Sequence, residues 1–153
     1  MSEPADHPSY QAARTPVTIT VHDVRTGPPH EGSLGEGVWL QTDRGTIHAI
    51  RHPSPEARSG VIWVCGARGG FGGPGQGAYV RLAEALRQEG IVSLRLNYRY
   101  PDVLPECALD LLAGIALLQQ DRARPVVLVG HSFGGAVVIA AGVVNPQVAG
   151  VVA

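Results

Sequence analysis

The stretch from Pro125 to Ala141, PVVLVGHSFGGAVVIAA, constrains the fold of this chain more than any other. It begins with an apolar run, 126–129, that predicts a buried strand, and it ends in small apolar residues that predict a helix. Between the two lies a Gly-x-Ser-x-Gly pattern centred on Ser132. A sharp turn suits this spacing, because Gly130 and Gly134 let neighbouring backbone pass close to it. The pattern therefore predicts that the serine stands on a strained turn at one end of a sheet.

The expected position of Ser132 suits it to a reaction in which an oxyanion develops beside the hydroxyl. Its hydroxyl projects from the end of the sheet, and the following helix directs free N–H groups and a partial positive charge to the same point. The alternative interpretation is an ordinary Gly-Ser turn, because a five-residue pattern alone is common. The strand and the helix on the correct sides favour the reactive turn.

The rest of the chain predicts strands that alternate with helices. An alternating, β-branched run predicts a strand at 17–24, and 43–45 predicts the turn of a hairpin between 38–42 and 46–50. Further strands are predicted at 61–66, 91–97, 125–130 and 148–153, and helices at 78–88, at 104–119 and after Ser132. This order predicts an α/β fold in which an antiparallel N-terminal hairpin leads into a mostly parallel sheet with helices on both faces.

Length and composition set limits on the class of protein. The 153 residues suffice for one domain, expected at 16–153 after a polar, flexible tail at 1–15. A formal net charge of −1 gives no reason to expect nucleic acid or an anionic membrane as a partner. No apolar run approaches the roughly 20 residues of a membrane helix, and the N-terminus lacks a secretory apolar core. The two cysteines, Cys65 and Cys107, fit a reducing compartment, so a cytoplasmic location is expected.

With GHSFGG placed between a buried strand and a helix, residues 36–153 resemble the α/β-hydrolase family, in its dienelactone-hydrolase-like or esterase-like members. The strand VIWVCG supports the resemblance, because it ends in Cys65-Gly66-Ala67 where many members carry His-Gly-x. The resemblance implies that this strand lies beside the strand of Ser132. It further implies Ser132 as nucleophile, the backbone N–H groups of Ala67 and Phe133 as the oxyanion hole, and a small-molecule acyl substrate without cofactor or metal.

The sequence departs from the family in its triad. The family order is Ser, then an acid, then His, yet no Asp, Glu or His follows Ser132. A serine hydroxyl needs a base within hydrogen-bond reach and a group that orients the base. All six histidines precede the serine, at His7, His22, His30, His48, His52 and His131. The chain therefore resembles the N-terminal part of such a domain. The resemblance predicts a serine hydrolase whose triad is incomplete in this chain.

The alternative is a catalytically inactive fragment or a half-domain that binds a partner. The missing half of the triad motivates it. So does the last predicted strand, VAGVVA, which is apolar and uncharged along its whole length. An uncovered strand of that kind favours self-association through its edge.

Several residues near the pattern have competing interpretations. His131 adjoins Ser132, but consecutive residues in a sharp turn point apart, so we expect this histidine to pack or to hydrogen-bond elsewhere. Cys65 is expected to be a small buried residue and not a nucleophile. Arg68 could bind an anionic group of a substrate, although a loop arginine is more often solvated. Capping or surface positions are expected for the two acids that precede the pattern, Asp102 and Asp110.

The glycine-rich loop at 66–77 contains a second pattern, because 70–75 reads G-x-G-x-x-G between a strand and a helix. In some folds such a loop binds dinucleotide phosphates. Here Pro74 removes a backbone N–H, and the strand at 91–96 is followed by Asn-Tyr-Arg instead of an acidic ribose ligand. We therefore expect a flexible rim of the active-site mouth and no nucleotide.

Overall fold

A computed structural model describes residues 17–29 and 32–153, so the tail predicted at 1–15 lies outside the described residues. The strands are β1 (Val21–Gly27), β2 (Glu36–Thr42), β3 (Gly45–His52), β4 (Ser59–Val64), β5 (Ile91–Asn97), β6 (Val126–Gly130) and β7 (Val148–Val152). The helices are α1 (Pro74–Arg87), α2 (Leu104–Gln120) and α3 (Phe133–Val144). In the described part of the chain, no helix has the length and apolar character needed to cross a bilayer.

The strands form one sheet in the order β1-β2-β3-β5-β4-β6-β7. Pairing is antiparallel from β1 through β3 to β5, and parallel from β5 through β4 and β6 to β7. The predicted hairpin turn is present, because Thr42 pairs with Gly45 across it. The predicted architecture is confirmed, including the neighbouring positions of β4 and β6.

Two boundaries differ from the prediction for identifiable reasons. The first strand runs from 21 to 27 because its pairing with β2 continues to Gly27. The first helix is interrupted near its start, where Gly75, Gln76 and Gly77 have φ of 57°, 56° and 89°. Regular helix therefore begins near residue 78, where the apolar spacing predicts it.

Alternate residues of β4 face two different layers. Ile62 and Val64 are buried in the main core with residues of α2 and α3. Val61 and Trp63 pack on the opposite face with Tyr79 of α1. Because helices cover both faces, this strand is apolar without alternation, as a buried parallel strand requires.

The prediction of a surface position for Asp110 is wrong. Its side chain is fully buried in α2, where it accepts a hydrogen bond of 2.9 Å from the backbone N–H of Arg99 and forms an ion pair with the guanidinium. Arg99 also pairs with Glu106 at 2.9 Å, and Glu106 pairs in turn with Arg44 of the hairpin turn. These bonds fasten the segment after β5 to α2 and to the hairpin. Asp102, in contrast, is exposed in a loop as predicted.

Candidate active site

Ser132 occupies the turn between β6 and α3. Its backbone has φ 57° and ψ −125°, a left-handed conformation that disfavours any residue with a side chain. The residue is exposed and immediately precedes the first turn of α3. The strand, strained turn and helix are therefore arranged as the Gly-x-Ser-x-Gly pattern predicts.

Two glycines allow the turn to close. A β-carbon on Gly130 would overlap the carbonyl group of Gly134, so no larger residue fits there. The N–H of Gly134 donates to the carbonyl of His131 at 3.0 Å, and the N–H of Gly135 donates to that of Ser132 at 2.9 Å. The N–H of Phe133, the first helical residue, has no acceptor within the helix, as is usual at a helix N-terminus.

The loop after β4 lies beside the serine. A β-carbon added to Gly66 would stand 3.6 Å from Cβ and 3.8 Å from Oγ of Ser132. Residues 66–69 form a turn closed by the Gly69 N–H, which donates to the Gly66 carbonyl at 3.0 Å. Ala67 is a central residue of that turn, where the turn itself supplies no acceptor for the N–H. The structure thus brings the loop of Ala67 next to Ser132.

Ser132 and this loop line an open cleft of about 480 Å³, to which His131 and Arg68 also contribute. Arg68 is exposed at the rim, where a guanidinium can meet an anionic group or remain solvated. A second cleft, of about 540 Å³, is lined by Trp39, His48, Phe71 and six further residues. None of those lining residues is a serine, threonine, cysteine or lysine.

Two tyrosines fix the end of β4. The Tyr98 hydroxyl donates to the carbonyl of Cys65 at 2.9 Å, and the Tyr79 hydroxyl donates to that of Val64 at 3.1 Å. Burial raises the pKa of Tyr79 to about 12 and raises that of Tyr98 as well, so both hydroxyls keep their protons near neutral pH. These donors were not predicted, because nothing local in the sequence marks a tyrosine as the partner of a strand carbonyl.

The glycine-rich loop borders the cleft at the predicted position, but side chains anchor it, whereas a flexible rim was expected. The Gly70 N–H donates to Oδ1 of Asn97 at 2.8 Å, and the Gly73 N–H donates to Sγ of Cys65 at 3.3 Å. Cys65 is buried, as predicted, and burial raises the pKa of its thiol. A buried, protonated thiol that accepts a hydrogen bond is a structural group.

The structure corrects the interpretation of His131, which is exposed and not packed in the interior. Among the described residues, no hydrogen bond joins a histidine ring to Ser132. The ring of His52 is directed instead toward Glu84 and Arg95. The described part of the chain therefore contains a serine on a strained turn without a histidine base in contact with it.

The architecture is similar to solved α/β-hydrolase structures. An α/β hydrolase, GrgF from a Penicillium species, is 20% identical with a TM-score of 0.61, and the match covers 75% of this chain and 43% of that one. A dienelactone hydrolase from Anabaena variabilis is 16% identical with a TM-score of 0.66, covering 85% and 62%. A cold-adapted esterase from an Arctic intertidal metagenomic library is 14% identical with a TM-score of 0.60, covering 83% and 64%.

The likeness establishes the fold. The chain has the α/β-hydrolase fold, as its resemblance to that family implies, and it spans 43% to 64% of the length of these three structures. The sequence matches no model of a protein family and no curated protein.

Proposed function

We propose that this chain carries the nucleophile of a serine hydrolase that acts on esters or related acyl bonds of small molecules. Ser132 attacks the acyl carbonyl carbon, and the backbone N–H groups of Phe133 and Ala67 stabilise the oxyanion that forms. The observation that carries the proposal is the conformation of Ser132. An exposed serine is held at φ 57° at the start of α3, beside a turn of the neighbouring strand's loop. Strain of this kind persists where the surrounding structure enforces it, and it is concentrated at functional sites.

The positions of the two N–H groups support their assignment to the oxyanion hole. The N–H of Phe133 is at a helix N-terminus, where the partial positive charge of α3 adds to its effect on a developing negative charge. The turn at 66–69 begins beside Ser132, which supports the N–H of Ala67 as the second donor. Removal of one such donor typically lowers kcat by a factor of about 10²–10³.

The hydroxyl proton of Ser132 must be transferred to a base during the attack. This base is a histidine, and the acid that orients it is a carboxylate, both outside the described residues. Without them, binding and the oxyanion hole alone would leave an acceleration of about 10³–10⁴ over water. An active protein therefore needs these groups in addition to Ser132.

A fluorophosphonate probe tests the assignment on the protein as its gene encodes it. We expect covalent labelling of the wild-type protein, its loss in Ser132→Ala, and normal labelling in Ser54→Ala. Ser54 is a matched control because its hydroxyl donates to the carbonyl of Arg87, away from the cleft. Labelling that persists in Ser132→Ala, or a wild-type protein that never reacts, would contradict the proposal.

A second candidate function is self-association, because α3 and β7 expose a set of apolar side chains. Val143 is 81% exposed, Val144 is 64% exposed and Val152 is 57% exposed. β7 also lies at one end of the sheet order, so one edge of it is unpaired within the described sheet. Two copies could pair along this edge and bury the valines. Sedimentation velocity tests this: dimers that Val152→Lys abolishes support it, and a monomer at 100 μM (about 1.6 mg/ml for 16.0 kDa) contradicts it.

A further inference from the structure

A guanidinium is buried in the middle of the sheet. Arg95 of β5 is 1% exposed and makes three hydrogen bonds. Its Nε donates to Nε2 of His52 at 2.9 Å, and its terminal nitrogens donate to the carbonyls of Phe71 at 3.1 Å and Leu34 at 3.0 Å. None of these acceptors is a carboxylate. A buried charge without a direct counter-ion is costly, so its retention calls for a specific role.

The bonds of His52 define its tautomer. Because an arginine can only donate, Nε2 of His52 must be the acceptor, and the ring proton is therefore on Nδ1. That nitrogen lies 2.5 Å from Oε1 of Glu84 on α1, to which it donates. The side chain of His52 is fully buried, whereas that of Glu84 is 28% exposed. Glu84 thus fixes the imidazole, and the imidazole orients the guanidinium.

The series of hydrogen bonds from Glu84 through His52 and Arg95 ends at the candidate active site. Phe71 belongs to the loop that lines the cleft of Ser132. On either side of Phe71, the N–H groups of Gly70 and Gly73 are bonded to Asn97 and Cys65. Between these two bonds, the guanidinium of Arg95 holds the loop by donating to the Phe71 carbonyl. A segment this rich in glycine has many accessible conformations, so its shape must come from such anchors.

We propose that Arg95 is a positioning residue: held by His52 and Glu84, it fixes the glycine-rich loop, and with it the Ala67 turn, beside Ser132. This inference rests on the proposed hydrolase function for its catalytic consequence. Its structural consequence, an anchored loop, is independent of that function.

Protonation of His52 would undo the arrangement, because a second N–H would then face the Nε–H of Arg95. The charged groups around the ring are Glu84 and Arg87 of α1 and Arg95 of β5. Burial, with help from the two arginines, lowers the pKa of His52 against the opposing effect of Glu84, so the ring is neutral at pH 7. Protonation of His52 would therefore weaken the contact of Arg95 with the loop, while the bonds of Gly70 and Gly73 would remain.

Hydrogen exchange tests the loop directly, and acyl-transfer kinetics test the consequence. Arg95→Met removes the donors while keeping an elongated apolar chain, and Ser93→Ala is the matched control. Ser93 lies two residues away on the same face of β5, and its buried hydroxyl has no partner in the described residues. We expect exchange of the 66–73 amides to rise about tenfold in Arg95→Met, the loss expected for one charge-assisted hydrogen bond. We expect kcat to fall about tenfold with KM within twofold, because a displaced oxyanion donor acts on the transition state.

Glu84 provides a second pair of variants in case Arg95→Met does not fold. Glu84→Gln retains an acceptor for Nδ1 of His52, whereas Glu84→Ala removes it. We expect faster loop exchange in Glu84→Ala and wild-type exchange in Glu84→Gln and Ser93→Ala. Unchanged loop exchange in folded Arg95→Met, or identical exchange in the two Glu84 variants, overturns the proposal. If loop exchange rises as expected while even the wild-type protein shows no acyl transfer, the anchoring role stands and the hydrolase proposal fails.

Discussion

A β-carbon on Gly134 would stand 2.5 Å from the carbonyl oxygen of Cys65. The first turn of α3 therefore packs directly onto the residue that follows β4, at a distance only a glycine permits. This contact brings the turn of Ser132 and the loop of Ala67 to the same end of the sheet. The assembly of the candidate site thus depends on a position that carries no functional group.

Gly134→Ala should destabilise the protein by about 1–3 kcal/mol, the range expected when a well-packed site is overfilled. Helix propensity alone predicts the opposite sign, a gain of about 1 kcal/mol, so steric overlap must outweigh propensity. Urea unfolding of the two proteins measures the difference. Gly150→Ala is the control, because a β-carbon there meets nothing within 4 Å. Equal stability changes in the two variants would show that the close packing is not required.

The sequence was sufficient to predict the turn because its requirement is local. Gly130 and Gly134 flank Ser132 at fixed spacing, and an apolar run and a helical run stand on either side. The order of strands and helices likewise predicted the parallel sheet, whereas the adjacency of β4 and β6 was implied by the resemblance to the α/β-hydrolase family. The catalytic role of Ser132 itself stays a prediction.

The buried charges could not be predicted from helical or strand periodicity alone. A capping or surface position was expected for Asp110, but α2 is buried on more than one side. Its partner, Arg99, follows the end of a different element. Arg95 does leave a signal in the sequence, because it interrupts the apolar strand IVSLRLN. A charge within a strand covered on both faces predicts a buried and hydrogen-bonded guanidinium.

Asp110→Asn should destabilise the protein by about 3 kcal/mol. The substitution keeps the shape of the side chain but leaves the guanidinium of Arg99, which is 3% exposed, without its nearest counter-charge. Chemical denaturation at pH 7 provides the measurement. Asp121→Asn is the control, since its pair with Arg51 is partly exposed and should contribute less than about 1 kcal/mol. Similar losses at the two positions would indicate that burial of the first pair has no special effect.

The Arg44–Glu106 pair predicts a loss of stability in acid. A hydrogen bond from Arg44 is the main cause that lowers the pKa of Glu106 below its usual value. A carboxylate with a lowered folded-state pKa contributes stability above its unfolded pKa, about 4.3, and loses it as the pH falls through the folded pKa. Glu106→Gln should therefore be less stable than wild type at pH 6, with the gap closing toward pH 3. A stability difference between wild type and Glu106→Gln that stays constant between those pH values would refute this linkage. Glu89→Gln, at an exposed position, is the control.

The lowered pKa of His52 predicts that the free energy of unfolding also depends on pH in a second range, closer to neutrality. Burial lowers the folded-state pKa of His52, so the unfolded chain binds its proton first as the pH falls. The stability it contributes is complete above the unfolded pKa of about 6.5 and declines as the pH falls from there toward the folded pKa. We expect the free energy of unfolding to decrease between pH 7.5 and 5.5 in wild type, and to be nearly flat in His52→Gln. His22→Gln, at an exposed position, should retain the wild-type slope.

At position 132, the usual order of stability of alanine and glycine variants should be reversed. At ordinary positions glycine is less stable than alanine by about 1 kcal/mol, because it loses more backbone freedom on folding. At φ 57° a β-carbon is strained by about 1–3 kcal/mol, and glycine removes that strain. Ser132→Gly should therefore be more stable than Ser132→Ala by about 1 kcal/mol in urea unfolding, although both lack the hydroxyl and neither should react with a fluorophosphonate.

Ala136→Gly, at an exposed position inside α3, is the control and should lose about 1 kcal/mol. If Ser132→Gly were the less stable of the pair, the turn would store no strain, and the main support for a reactive serine would be lost.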